Sequence, residues 1–258
     1  MAVPMPLNPS LCELRRGAYA YPPARIRRNA APSSPLLPAS PYDIKNPEAL
    51  GWPTKSARFS SWGHDAYHRR LLHSSSAQDQ FDGVLSIVYW GNYAGSTGDP
   101  AAYARARARW MVLGKKNCPA DSPTSVSRAV IRARTCLTSG PSRLQDAIQA
   151  LDEISFIGLS FASKILAFMD PHHCAVLDSV LLDAFRKSRD PALAAIRSNP
   201  IGFENWCLRC ERTAAALNTV SSTWVDWNGR RYKWRAVDVE RAAFAQATLN
   251  FDPAYLLV

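Results

Sequence analysis

A mainly α-helical fold with one small β-hairpin is what the sequence predicts, and three observations predict it. Ala101 to Leu113 alternates alanine with arginine, a composition that favours helix, with Tyr103, Trp110 and Leu113 near one side. Leu144, Ile148 and Leu151 recur at i, i+4 and i+7, which is one helical face. A turn at Gly158 is followed by Phe161, Ile165 and Phe168, a second apolar stripe, and the strongest strand-turn signal is Asn228-Gly229 between Trp224 and Trp234.

The other elements follow from punctuation. Residues 1–55 hold most of the prolines and no sustained apolar period, so a disordered Pro/Arg-rich tail is expected there, with a globular domain over 56–258. A basic, serine-containing stretch that is poor in acids also suits an organelle transit peptide, but no amphipathic helix is evident in it. Phe81 to Trp90 is an apolar run that Gly91-Asn92 should end. Asp99-Pro100 supplies an N-cap and a first-turn proline for the Ala101 helix, which Gly114 closes. A helix is expected around Arg128 to Cys136, then, after Gly140-Pro141, the Leu144 helix. Asp170-Pro171 stops the helix that begins after Gly158, and Asp178 caps another through Phe185, bounded by Asp190-Pro191. Glu204 to Leu217 forms a further helix, and Asp238 is placed to cap a last one through Ala247.

The chain has 258 residues, 47% of them apolar, with no long uninterrupted apolar run; no membrane partner is expected. Six scattered cysteines lack a disulfide spacing and point to a reducing, cytoplasmic location. The net charge of +10 suits a polyanionic partner. Half of that excess lies in residues 1–58, so the charge argument is weaker for the globular part. Cys207 and Cys210 form a lone C-x-x-C, read as paired surface or core thiols. His172, His173 and Cys174 diverge as neighbours on the chain, so neither metal nor cofactor is expected. Trp224, Trp227 and Trp234, interleaved with Arg230, Arg231, Lys233 and Arg235, read as a core hairpin with basic edges in preference to a base-stacking platform.

The segment Ile154-Ser155-Phe156-Ile157-Gly158-Leu159-Ser160 through Lys164, followed by Asp178, runs as helix, tight turn, amphipathic helix, loop, and a carboxylate opening a third helix. That order resembles the core of the helix-hairpin-helix DNA glycosylases, with an overall shape similar to 8-oxoguanine DNA glycosylase. About a sixth of the chain carries the close resemblance. The family's leucine-proline-glycine-apolar-glycine hairpin corresponds to Ile154, Ser155, Phe156, Ile157 and Gly158, so the proline and the first glycine are replaced. Positive φ is costly for Phe156.

The resemblance implies base excision from double-stranded DNA, with nucleoid association, by a monofunctional hydrolytic N-glycosylase. Asp178 would be the catalytic carboxylate. Ser160, eighteen residues earlier, stands where bifunctional members carry an imine-forming lysine, as in the adenine-excising branch. A serine hydroxyl cannot form a Schiff base. Lys164, one turn on, is weighed as a substitute nucleophile against a phosphate-contacting or surface lysine. Gly158, Ile157 and Leu159 would hold a phosphate through their amides, with Arg128 and Arg132 as further phosphate contacts. A non-catalytic nucleic-acid-binding protein on the same scaffold, and an enzyme acting on RNA or nucleotides, are the alternatives.

Overall fold

The computed structural model describes residues 7–19, 25–28, 42–45, 61–93, 100–115, 117–138, 143–226 and 229–258. Asp99, Gly140, Pro141, Trp227 and Asn228 lie outside the described residues.

The fold is mainly helical. Its middle is α3 (Ala77–Tyr93), in which Phe81, Val84, Leu85, Ile87, Val88, Tyr89, Trp90 and Tyr93 are all buried. A helix apolar on every side has to be enclosed. Helices α2 (Ser61–Leu72), α4 (Pro100–Leu113), α5 (Pro123–Leu137) and α7 (Leu159–Met169) pack around it. The turn expected at Gly91-Asn92 is absent, because α3 runs through both: Asn92 Nδ2 donates to Val88 O at 2.7 Å, and a Cβ on Gly91 would lie 2.7 Å from the Phe161 ring of α7.

Helix boundaries obey local chemistry. Ser122 and Ser125 form a reciprocal capping box at the start of α5, with proline in the first turn. Helix α6 (Arg143–Leu151) buries Leu144, Ile148 and Leu151 as the periodicity required. Asp178 caps α8 (Ser179–Arg186), Asp190 caps the short α9 (Pro191–Ala194), and Asn199 caps α10 (Pro200–Thr219). Gly114 follows α4 at φ +76, where a Cβ would strike backbone atoms of Cys118 and Ala120.

Strands β3 (Trp224–Val225) and β4 (Arg231–Tyr232) make the small antiparallel hairpin, with Gly229 at φ +77. Trp224 and Trp234 are core residues, and their indoles donate to Lys233 O and to the Ser222 hydroxyl. Cys207 and Cys210 are fully buried, and all six cysteines are free thiols.

Two expectations are corrected here. The tail is not without structure: Asn8 caps α1 (Pro9–Gly17), and backbone segments β1 (Arg25–Arg28) and β2 (Tyr42–Lys45) pair antiparallel. Helix α1 packs on α11 (Ala236–Thr248), with Cys12 and Arg16 each 1% exposed. The folded unit therefore reaches back to residues that proline and arginine content assigned to a tail.

The second correction concerns Asp238. Arg235 occupies the cap position of α11, and Asp238 lies one turn inside, fully buried. It accepts from Arg235 Nε at 2.7 Å and from Arg16 Nη2 at 3.1 Å, while Arg241 and Arg235 share Asp65 at 2.6 and 2.7 Å. The Arg16 guanidinium also lies 3.8 Å over the Trp224 ring. Buried charges persist only when paired in this way.

No helix among the described residues is long and apolar enough to cross a membrane.

Candidate active site

The turn between α6 and α7 is made by the residue that stereochemistry disfavours. Phe156 sits at φ +62, where the glycosylase pattern has its first glycine. The left-handed region costs a non-glycine residue roughly 1–2 kcal/mol, and the surroundings hold it there. Ser155 N donates to Asp121 Oδ1 at 3.2 Å, Ile154 and Ile157 are buried, and the Phe156 ring lies 6.3 Å from that of Trp110. The cost expected for Phe156 is therefore met and offset by packing.

Gly158 is the N-cap of α7 in extended backbone, φ −95 and ψ 179, with no side-chain cap. The first hydrogen bonds of the helix come from Phe161 N and Ala162 N to Gly158 O. The exposed glycine and the amides of Leu159 and Ser160 thus form an uncapped helix start, which favours an anion. The Ile157 side chain is buried and its amide donates to Ile154 O at 3.4 Å, so it is not the phosphate contact expected of it; the Leu159 side chain packs on the core and leaves only its amide to a ligand.

The extended segment before Asp178 is held by three bonds, one to α7 and two to α10. Leu177 N donates to Ser163 Oγ at 3.0 Å, Trp206 Nε1 donates to Val176 O at 2.7 Å, and Ala175 N donates to Cys207 Sγ at 3.3 Å. Leu181 N donates to Asp178 Oδ1 at 3.2 Å, and this fixes the carboxylate. Its other oxygen lies 3.8 Å from Lys164 Nζ. Lys164 Nζ in turn donates to Ser160 Oγ at 3.0 Å. Ser160, Lys164 and Asp178 are therefore one cluster, in which the carboxylate side chain keeps 14% exposure and the lysine 6%.

Lys164 is not the surface lysine weighed from the sequence. It is buried between α7 and α3, with Gly91 leaving room for its methylenes and for the Phe161 ring. Burial pushes its pKa below the usual lysine value, while Asp178 and then Glu240 act in the opposite direction.

The other anticipated phosphate contacts divide. Arg128 is exposed on α5. Arg132 pairs with Glu153, at the hairpin's approach. Arg107, one of the arginines with Arg105, Arg109 and Arg134 that the sequence also offers as possible phosphate contacts, has its guanidinium 4.8 Å over the Trp110 ring, and Lys115 Nζ, which sequence reading missed, lies 4.3 Å over the same ring. Sequence reading also missed Glu240, buried on α11 and within electrostatic reach of both Lys164 and Asp178. Nothing in the local sequence marks these residues, since their proximity is created by helix packing.

His173 Nδ1 bonds Asp170 Oδ2 at 2.8 Å, and Cys174 is fully buried. Comparison of the chain with protein-family models, with curated proteins and with solved structures gives no match.

Proposed function

We propose that this chain is a DNA base-excision N-glycosylase of the helix-hairpin-helix type, working by hydrolysis on a damaged or mispaired base in duplex DNA. The observation that carries the reading is the cluster of Ser160, Lys164 and Asp178 immediately beyond a turn with an uncapped helix start. In this reading the Leu159 and Ser160 amides hold a backbone phosphate and the target nucleotide is everted toward Asp178. The Asp178 oxygen that faces Lys164 stabilises positive charge at the sugar as the base departs, and the oxygen held by Leu181 N fixes its aim. Ser160 supplies a hydroxyl incapable of imine formation, so the product is an intact abasic strand.

The test is base release from duplexes carrying 8-oxoguanine, adenine opposite 8-oxoguanine, uracil or alkylated purines. Excision by the wild type and its loss in Asp178→Asn are expected. Salt-sensitive binding without turnover would replace the enzymatic reading with a purely binding role, and preference for RNA or nucleosides in competition would move the substrate.

One observation favours a second reading, in which Lys164 attacks the sugar carbon. Its amine reaches the Ser160 hydroxyl, and burial enlarges the neutral fraction that attack requires. Trapping of a protein–DNA adduct with borohydride, together with strand cleavage, would select it.

A further inference from the structure

We propose that the cavity beyond the last turn of α7 is a binding site for a phosphate monoester, separate from the candidate active site and independent of whether the chain excises bases. The cavity, about 360 Å³, lies where α2, the loop after α7 and the start of α11 meet, and its volume is within the range of small-molecule sites. Helix α7 runs from Leu159 to Met169 and so spans about 15 Å. Ser160 is in its first turn, and this cavity, lined by Pro171 and His172, is past its end.

Arg235 is the fixed point of the site. It is 4% exposed, and it donates from Nε to Asp238 Oδ2 and from Nη2 to Asp65 Oδ2, each at 2.7 Å. Its Nη1 has no hydrogen bond among the described residues, so a guanidinium clamped by two carboxylates keeps N–H groups for a ligand in the cavity that it lines. Asp65 also lines the space, but Arg235 and Arg241 take up its charge.

Arg69 and Arg70 reach the same cavity from the last turn of α2, both exposed and neither ion-paired among the described residues. Basic side chains in a last turn also complement the helix dipole. The dipole accounts for two arginines and leaves the convergence of His73 and His172 on them without a reason. His73 is anchored through Nε2 to Met169 O at 2.9 Å, and His172 through its backbone oxygen, which accepts from Ala236 N at 3.4 Å. Burial first, and then the Arg235 charge, lower the His172 pKa below its ordinary value, so the positive charge of the cavity is felt by its own wall.

Trp62 decides against a flat ring as the group recognised. Tyr232 stacks on it at 4.3 Å and 10°, and the Arg235 guanidinium carbon lies 4.1 Å over it. Two groups that close take opposite faces, so neither face of the indole is open to a base. The cavity offers charge instead: guanidiniums, whose paired N–H groups match phosphate oxygens, beside two imidazoles. A phosphate monoester brings three such oxygens and a charge of about −1.5 to −2 at neutral pH. Two unpaired arginines suit it better than they suit a singly charged carboxylate, and a concave site suits a chain end or a free ester better than the continuous backbone of a duplex.

Inorganic phosphate titrated into the full chain, read from histidine ring resonances, tests the proposal. Phosphate should move His73 and His172 saturably, and Arg69→Ala combined with Arg70→Ala should weaken it about tenfold or more. Both arginines are exposed, so the ligand-free Tm should hold; were it to fall, the wild-type resonances alone still decide where phosphate binds. No saturation by about 10 mM, equal affinity in the double variant, equal affinity for acetate, or changes confined to the Leu159 and Ser160 amides overturns the proposal.

A 5′-mononucleotide and a short duplex ending in either a 5′-phosphate or a 5′-hydroxyl separate the sources of the group. Tighter binding of the phosphorylated duplex, lost in the double variant, assigns the site to a strand end. Mononucleotide binding that needs the arginines, with both duplexes indifferent to them, assigns it to a free ester. If the hydroxyl-ended duplex loses as much in the double variant as the phosphorylated one, the arginines hold a backbone diester and the monoester site is refuted. None of these measurements depends on base release, so the site and the excision activity are tested apart.

Discussion

Lys164 Nζ lies 3.0 Å from Ser160 Oγ, so a lysine rooted one helical turn further along α7 brings its ammonium to the hydroxyl of residue 160. The same atom is 3.8 Å from Asp178. A buried cation is thus shared between a hydroxyl and a carboxylate, and whichever chemistry the site performs must use or neutralise it.

Asp178 has two duties that substitution can separate. Asparagine caps a helix about as well as aspartate does, whereas alanine forfeits roughly 1 kcal/mol. Asp178→Asn should therefore keep the cap but leave the buried Lys164 without its counter-charge, so it should lower both the urea midpoint and base excision, the latter by about 10²-fold or more. Asp178→Ala should lose the activity and about 1 kcal/mol more stability than the asparagine variant. If Asp178→Asn excises at the wild-type rate, the residue is a cap and nothing more.

Lys164→Met keeps the methylenes that pack beside Gly91 and Phe161 and removes a desolvated charge. Its fold should be at least as stable as wild type, by up to about 1 kcal/mol. Hydrolytic excision should survive at a reduced rate, while any borohydride-trapped adduct should vanish. A trapped adduct that persists would place the amine elsewhere.

Gly91 sets how closely α3 and α7 approach. A Cβ there would lie 2.7 Å from the Phe161 ring and 3.1 Å from the Lys164 chain, so Gly91→Ala must move both. The overpacking should cost about 1–3 kcal/mol, and excision should fall by more than the lost folded fraction explains. Thermal unfolding measured beside single-turnover rates separates the two effects.

Gly158 gives the opposite case. Its backbone is extended and a Cβ would meet nothing within 4 Å, so Gly158→Ala should fold normally, within about 0.5 kcal/mol of wild type. A methyl group over the open amides would nevertheless hinder a phosphate, and DNA affinity should drop. Unaltered affinity in a fluorescence titration would show that the backbone of DNA does not come to this helix start.

Much of the helical framework was legible because the cues were local. Asp178 and Asp190-Pro191 state their caps within a few residues, and the Leu144 and Phe161 periods state their faces, whereas the Ser122-Pro123 start of α5 went unread. Where the outcome depended on distant packing, legibility failed. Gly91 marks an approach between helices instead of a chain reversal, and Phe156 takes positive φ because Asp121 and the buried isoleucines on either side fix the turn. The site was half legible: Ser160, Lys164 and Asp178 were individually noticed and do come together, but the burial of Lys164 against Gly91 depends on how α7 packs on α3, which no local cue states. Asn8-Pro9 carried an ordinary helix-start signal that the surrounding prolines obscured.

Acid should report on the ion cluster. Its arginines hold the fully buried Asp238 at about 2, below the ordinary 3.8. The stabilisation is complete above pH 3.8 and is lost as pH falls toward 2, amounting to about 2 kcal/mol. Denaturant unfolding of Asp238→Asn should show a weaker fold at neutral pH and a shallower decline over that acid interval. A decline matching wild type would assign the acid sensitivity to other carboxylates.

Arg16, near the front of the chain, is stitched to Asp238 in its last long helix and to Ser61 between them. Beginning and end are consequently latched by one guanidinium. Shortening the protein past that arginine would strip Asp238 of one of its counter-charges and uncover the face of α11 on which α1 packs.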